Sequence, residues 1–198
     1  MDGKDSGVYM ATPLSRLNAS EGMSTPLAQA AYEEFFATLG GKPVHQRLAT
    51  HWARLIELLY ATEHWVELAS DPEITSPNIH TVPSATPTEG VGIVEAPRGT
   101  LTHHYVTDEQ GLLKKVNLIV GTTNNYAPIQ MSTNKAACCL IKGGIVNEGL
   151  LNMVEMAFRV YDPCFGCATH SLPGQMPLEI VIHGIDGDIK EVIRQNID

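Results

Sequence analysis

The sequence has little of what marks secreted, membrane or nucleic-acid-binding proteins. Its four cysteines in 198 residues are too few for a disulfide-stabilised scaffold, and no apolar run approaches the length of a membrane span. Lys and Arg number 13 against 22 Asp and Glu, for a net charge of −9, and no basic cluster could follow a phosphate backbone. The polar N-terminus lacks the apolar region of a signal peptide. These absences predict a cytoplasmic protein without a membrane span or nucleic acid partner, whose cysteines are free for metal or redox chemistry.

The first 70 residues are predicted to be a helical segment. Hydrophobic residues form 43% of the chain, enough for the core of one soluble domain. Residues 1–23 are mixed and turn-rich. Thr25-Pro26 predicts a helix start, because a hydroxyl residue precedes proline at the first helical position, and Gly40-Gly41 predicts the end of that helix. A second helix is predicted over residues 43–69.

The remainder mixes strands with helices. Residues 71–89 contain four prolines and predict a linker or long loop. Three strands of an antiparallel element are predicted next, at residues 91–95, 100–106 and 112–120. Later elements are helices at 128–142 and 147–161, a strand at 178–183 and a short helix at 189–195. The predicted fold class is therefore α+β, helix-dominated, with a small antiparallel sheet.

The most specific motif is Asp162-Pro163-Cys164-Phe165-Gly166-Cys167-Ala168-Thr169-His170. A Cys-x-x-Cys loop directs two sulfurs at one point, which suits a soft or borderline metal. A c-type haem would need histidine directly after Cys167, and structural zinc would need four ligands. A thioredoxin-like pair needs its first cysteine at a helix N-terminus, whereas this pair follows a predicted helix. Half of a metal site and a turn with two small buried residues both remain open.

Two further motifs could line a pocket. In Glu95-Ala96-Pro97-Arg98-Gly99, proline fixes the backbone beside Arg98, so the guanidinium could be held over a reacting centre. A surface ion pair between Arg98 and Glu95 is the alternative. In residues 118–125, an apolar strand runs into small polar side chains, a pattern that presents hydroxyls in a pocket or simply caps a helix.

Together and in this order, the three motifs resemble the C-terminal half of the large subunit of nickel–iron hydrogenases. The resemblance is to the cytoplasmic multisubunit branch, whose members pass electrons to flavin or heterodisulfide-reducing partners. It runs from about residue 9 to the end and includes Pro13-Leu14-Ser15-Arg16-Leu17-Asn18. It implies the hydrogenase large-subunit fold without its N-terminal part, and reversible heterolysis of H2 to protons and electrons.

The resemblance also implies cofactors and their ligands. The cofactors are a nickel–iron centre, with cyanide and carbon monoxide on iron, and Mg²⁺. Cys164 matches the terminal nickel ligand, and Cys167 matches the thiolate that bridges nickel and iron. His170 and the backbone carbonyl of Leu118 match ligands of the magnesium ion.

Catalytic and pocket residues are carried over in the same way. Arg98 matches the guanidinium above the open metal position, Asp162 matches the carboxylate beside it, and Cys164 completes the implied catalytic set. The pocket for the cyanide and carbon monoxide ligands is implied to be lined by Pro97, Val120 and Thr122.

One departure from the family pattern is the missing first cysteine pair. The family uses two Cys-x-x-Cys pairs, and the first belongs to an N-terminal segment that this sequence lacks; Cys138 and Cys139 are adjacent and cannot both face one metal. Two sulfurs cannot build the bimetallic centre, so this chain alone is expected not to turn over H2. The chain is then either a fragment of an ordinary large subunit or one half of a split subunit. The implied partners are an iron–sulfur small subunit and, for a split subunit, a polypeptide that supplies the N-terminal half of the large one. The alternatives are a degenerate, non-catalytic docking subunit of a redox complex and a stand-alone zinc or thiol protein.

The second departure is a C-terminal extension. In the family, a maturation endopeptidase removes such an extension after the histidine of the cysteine motif. The resemblance therefore implies that residues 90–170 carry the metal site, that residues 171–198 are a cleavable extension, and that His170 and Ser171 flank the cleaved bond. The strand predicted at 178–183 would hold the precursor open or form an edge strand of the mature fold.

Overall fold

Three helices build the first part of the molecule. The computed structural model describes residues 7–170 and 178–195. Helices α1 (Pro13–Ala19) and α2 (Pro26–Thr38) both pack on α3 (Ala49–Ser70). Their apolar faces meet in one core, made of Leu14, Leu17, Tyr32, Phe35, Phe36, Val44, Ala49, Ala53 and Ile56. This core fixes α1 against α3, and with it the chain that leads to the candidate site.

The prediction of a turn-rich start was wrong at residues 13–19. Thr12 caps α1: its hydroxyl accepts a hydrogen bond from the Ser15 amide, and the Ser15 hydroxyl accepts one from the Thr12 amide. Pro13 occupies the first helical position. The capping box is built with serine where glutamate or glutamine is usual, so the sequence pattern did not reveal it.

Helix α2 begins at Pro26, as predicted, but α3 begins six residues later than predicted. The side chain of Asn18 donates to the carbonyl of Val44 and accepts from its amide. These two bonds hold Val44 in the loop before the helix, where its buried side chain joins the core.

The three predicted strands are confirmed. Strands β1 (Glu89–Ala96), β2 (Gly99–Thr107) and β3 (Leu113–Ile119) form an antiparallel sheet in the order β1-β2-β3. Before them, the proline-rich segment contains a 3-10 helix at Pro72–Thr75 and, in the described residues up to β1, no other regular element. The antiparallel pairing thus places the β1–β2 turn and the end of β3 at the same end of the sheet.

The last elements carry the cysteine motif. A 3-10 helix (Gly121–Asn125) leads from β3 into α4 (Tyr126–Leu140), which packs on α5 (Glu148–Arg159). A short helix α6 (Phe165–Thr169) follows. The mixture of helices with small antiparallel sheets confirms the α+β class. No helix in the described part of the chain is long and apolar enough to cross a membrane.

The short helix predicted at 189–195 was wrong, because this segment is a strand. Strands β4 (Leu178–His183) and β5 (Ile189–Gln195) form an antiparallel hairpin. Ile189, Val192 and Ile193 have helical spacing, but β4 needs a partner for its backbone groups, and β5 supplies it in a register that pairs Val181 with Val192.

Candidate metal centre

The chain enters the site through a sharp turn after α5. Asp162 adopts a left-handed backbone conformation with φ 50°, which aspartate tolerates better than most residues. Its amide donates to the Arg159 carbonyl at 2.9 Å. This turn directs the cysteine motif away from the axis of α5.

Two arginines and α4 anchor the residues before that turn. Arg54 donates to the Val160 carbonyl at 2.6 Å, and Arg47 donates to the hydroxyl of the buried Tyr161. That hydroxyl donates in turn to the Pro128 carbonyl of α4 at 3.1 Å. Desolvation by burial lowers the pKa of Arg47 from its ordinary value. The helical first part of the chain therefore holds the base of the cysteine motif.

Arg98 lies beside Asp162. Its Nε donates to the Asp162 carbonyl at 2.6 Å and lies 3.1 Å from the Asp162 carboxylate. The predicted alternative, a surface pair with Glu95, is not formed; Glu95 lies 3.7 Å from Arg16 instead. The two Nη groups of Arg98 form no hydrogen bond within residues 7–170 and 178–195, so they can meet a group outside this part of the chain.

Cys164 and Cys167 lie on one loop and its following helix. Their Cα atoms are 5.3 Å apart, and the structure records the two sulfurs as a disulfide. Metal ligation needs both as thiolates, so the reduced form is the one that could bind a metal. Cys164 directly precedes α6. The sequence analysis placed the cysteine pair only after a helix, so it missed that the first cysteine also lies at a helix N-terminus, the position that a thiol redox pair needs.

The end of β3 is tied to the cysteine loop by a buried hydroxyl. Thr122 is 2% exposed, and its Oγ1 accepts a hydrogen bond from the Cys164 amide at 3.0 Å. Of the other residues predicted to line the same pocket, Val120 is partly buried and Pro97 is exposed. Two of the three motifs singled out in the sequence thus meet at Thr122.

The third motif joins them through glycine and asparagine. Gly99 has φ +137°, and a Cβ there would lie 2.5 Å from the Gly121 carbonyl. The backbone of the β1–β2 turn therefore touches the 3-10 helix directly. Asn124 donates to the Thr100 carbonyl at 2.9 Å, and the buried Asn125 donates to the Arg98 carbonyl at 2.8 Å. These two asparagines were not predicted as functional residues; the Thr-Thr-Asn-Asn run was their only signal.

The predicted magnesium ligands are not brought together by any recorded contact. His170 ends α6 in a left-handed conformation with φ 59° and is exposed. Leu118 pairs with His103 in the sheet. Ser171 lies outside the described residues. Within the described residues, no group of three or more His, Cys, Asp and Glu side chains is placed to hold a metal ion.

The donor set nevertheless suits part of a soft-metal site. Two sulfurs on one short loop can chelate a single ion once reduced, and Thr122 and Arg98 add a hydroxyl and a cation nearby. These are groups that can hold small anionic ligands of a metal. The two cysteines could thus form part of the coordination shell of a metal, and within the described residues no third His, Cys, Asp or Glu side chain is grouped with them.

Comparison with known proteins gives one consistent result. The family model described as nickel-dependent hydrogenase matches residues 8–170. An F420-non-reducing hydrogenase iron-sulfur subunit from Archaeoglobus profundus is 48% identical over 195 residues, which are 98% of this chain and 40% of that protein. The beta subunit of the NAD-reducing hydrogenase HoxS from Cupriavidus necator is 42% identical over 188 residues, 93% of this chain and 38% of that protein.

A solved structure agrees with these matches. The crystal structure of an NAD+-reducing NiFe-hydrogenase in its H2-reduced state superposes with a TM-score of 0.78 at 38% sequence identity. The match covers 85% of this chain and 37% of that one. The chain therefore spans about 40% of the length of the curated relatives described above.

Proposed function

Because this chain belongs to the nickel-dependent hydrogenase family, we propose that it supplies one half of a nickel–iron site, with Cys164 and Cys167 as two of its four cysteine ligands. Membership confirms the resemblance seen in the sequence. The observation that supports the proposal most is the convergence of the Cys164 loop, Thr122 and the Arg98–Asp162 pair. The activity is that of an oxidoreductase acting on H2 in the cytoplasm, and it needs a second polypeptide segment.

The cofactor and the protein divide the chemistry. When bound, a nickel–iron centre supplies the Lewis acid that polarises H2. As a thiolate, Cys164 can take up a proton at its Sγ atom. The guanidinium of Arg98 is a cation that carries only hydrogen-bond donors, so its part is to stabilise negative charge. Asp162 holds Arg98 at Nε and leaves the Nη groups for that purpose.

Thr122 has a separate part in the proposal. Its oxygen accepts from the Cys164 amide, so its own hydroxyl proton remains available to a cyanide nitrogen. Val120 and Pro97 supply apolar surface for the ligands of iron. His170 and the Leu118 carbonyl would contribute to a magnesium site whose other ligands lie outside the described residues.

The companion segment has an apolar surface to cover. Successive residues of a strand point to opposite faces of a sheet, yet Ile93 and Val94 of β1 are 66% and 61% exposed. Leu58 of α3 is also exposed and lines a cavity of about 850 Å³ where α1, α3 and the end of β1 meet, beside Pro97. We assign this surface to the remaining 60% or so of a hydrogenase large subunit, because this chain matches only about 40% of its relatives. An iron–sulfur small subunit is the next partner.

Nickel content tests the proposal. The complex is purified from its native host, and nickel is measured by mass spectrometry in the wild type, Cys164→Ala and the control Cys138→Ala. Cys138 is an exposed, free cysteine on α4, so its loss should leave about one nickel per chain. Cys164→Ala should remove most of the nickel, because a terminal thiolate is lost. Equal nickel in both variants, or none in the wild-type complex, would contradict the proposal.

A second function, a degenerate docking subunit in a redox complex, is favoured by the single Cys-x-x-Cys pair of this sequence. One such pair supplies only two of the four cysteine ligands that the family's metal centre uses. That function predicts partner binding that is unchanged in Cys164→Ser and Cys167→Ser. Loss of assembly in these variants would argue against it.

A further inference from the structure

We propose that Arg16 is a positioning residue for Arg98, an inference that rests on the function proposed above. Arg16 lies on α1, in the Pro-Leu-Ser-Arg-Leu-Asn motif that matches the family. The proposed chemistry of the cysteines and Arg98 does not use this motif. Arg16 does not touch the cysteines in any recorded contact. Its role is to hold the backbone that carries the Arg98 guanidinium.

Arg16 binds the two peptide carbonyls immediately before Arg98. Its Nη1 donates to the Ala96 carbonyl at 3.1 Å, and its Nη2 donates to the Pro97 carbonyl at 3.0 Å. The β1–β2 pairing closes this turn between Ala96 and Gly99, and Pro97 within it cannot donate a backbone hydrogen bond. The Arg16 guanidinium from α1 adds a restraint on the two carbonyls that precede Arg98.

Glu57 of α3 fixes the orientation of Arg16. Its two carboxylate oxygens accept from Nε and Nη2 of Arg16, each at 2.6 Å. Both side chains are largely buried, with exposures of 18% and 22%, and a bidentate pair sets the plane of the guanidinium. The remaining donors are thereby aimed at the turn.

The third carbonyl in the row is held from the other side. Asn125 donates to the Arg98 carbonyl at 2.8 Å, and the same amide group exchanges two hydrogen bonds with the backbone of Ala11. Three successive carbonyls, at Ala96, Pro97 and Arg98, are therefore restrained by side chains. Both restraints lead back to residues 11–16, on and just before α1.

Lysine could not replace Arg16 here. Arg16 uses four of the five N–H donors of its planar fork, two toward Glu57 and two toward the turn. A lysine ammonium is a point charge with three donors, and it cannot reach two carboxylate oxygens and two carbonyls together. Arg16→Lys keeps the positive charge but loses the planar set of donors that binds Glu57 and the turn together. It is therefore the variant that separates a positioning role from the effect of charge alone.

The first test follows the Nε–H of Arg98 by NMR in the full chain, with the signal identified by its loss in Arg98→Lys. In the wild type, the bonds to Asp162 slow its exchange with water. Arg16→Lys should speed that exchange about tenfold, the effect of losing one net hydrogen bond, and should leave the Phe35 core amide unchanged. Glu57→Gln should also speed the exchange of the Arg98 Nε–H, but by less than Arg16→Lys does.

A matched control separates positioning from general stability. Arg159→Lys changes an exposed arginine paired with Glu155 on α5 and should leave the exchange of Arg98 unchanged. The proposal is overturned if Arg16→Lys leaves the Arg98 exchange unaltered, or raises it only in proportion to that of Phe35.

The assembled complex gives the second test. Arg16→Lys should lower kcat for H2 on the order of tenfold to a hundredfold at unchanged nickel content, because misplacing a group by about 1 Å has effects of this size. Unchanged kcat would overturn the positioning role. A complex without nickel would instead defeat the proposed function, and the Arg98 exchange in the full chain would still decide the role of Arg16.

Discussion

At the scale of single residues, the site depends on side chains that are small rather than reactive. Gly99 and Gly121 let the β1–β2 turn touch the 3-10 helix, and Thr122 accepts from the Cys164 amide. None of these residues carries the chemistry proposed for the cysteines and Arg98. They bring three segments, far apart in the sequence, to one place.

Gly99→Ala is expected to destabilise the fold by more than about 3 kcal/mol, since a methyl group would lie 2.5 Å from the Gly121 carbonyl in addition to the strain of about 1–3 kcal/mol from a positive φ. Gly40→Ala is the control, because Gly40 has φ +89° and open space around it, so only the strain should appear. Urea unfolding followed by tryptophan fluorescence measures both. Equal losses would show that the close contact carries no energy.

At the scale of elements, one helix caps another. The carboxylate of Glu63 on α3 accepts from the amides of Leu27 and Ala28 and from the hydroxyl of Thr25, at the first turn of α2. Thr25 itself makes no capping bond to its helix. The sequence predicted the start of α2 correctly, but no local pattern indicated that Glu63 accepts hydrogen bonds from the free amides of its first turn.

This cap makes stability depend on pH. Desolvation alone would raise the pKa of Glu63. Its three hydrogen bonds together outweigh that effect, so the pKa of Glu63 lies below its ordinary value. The contribution to stability is therefore complete above the unfolded pKa of about 4.3 and is lost as pH falls through the folded pKa. Glu63→Gln should be less stable than the wild type at pH 7, and this difference should vanish in strong acid.

Urea titrations at pH 7 and about pH 2.5 check this difference. Glu34→Gln, at an exposed position on the same helix pair, is the control and should show no such dependence. A Glu63→Gln deficit that persists unchanged at the lower pH would exclude the cap as its source.

The elements that the sequence predicted well are those with local signals. The sheet follows from strand alternation and its hairpin loop, and α2 follows from Thr25-Pro26. Helix α1, helix α6 and strand β5 were missed or misassigned, because their signals are short or their partners are distant. The contact of Asn125 with Ala11 spans 114 positions, and the bonds of Arg16 to the β1–β2 turn span about 80; no local pattern encodes such pairs.

At the scale of the whole molecule, the C-terminal hairpin of β4 and β5 lies outside the residues that match the family model. The family model ends its match at residue 170, and β4 pairs with β5. We therefore expect the mature protein from the native host to end at His170, with residues 171–198 removed. Intact-mass spectrometry of the purified complex checks this expectation. A mass that retains all of residues 171–198 in nickel-loaded protein would contradict it.

The exposed strand β1 has a consequence for assembly in the cell. As an edge strand with apolar side chains uncovered on both faces, it offers the same surface to its companion and to another copy of this chain. Self-association grows with the square of the concentration of this chain, so it is favoured wherever β1 is left uncovered. Overproduction of residues 1–198 without a segment that covers β1 is therefore expected to favour aggregation.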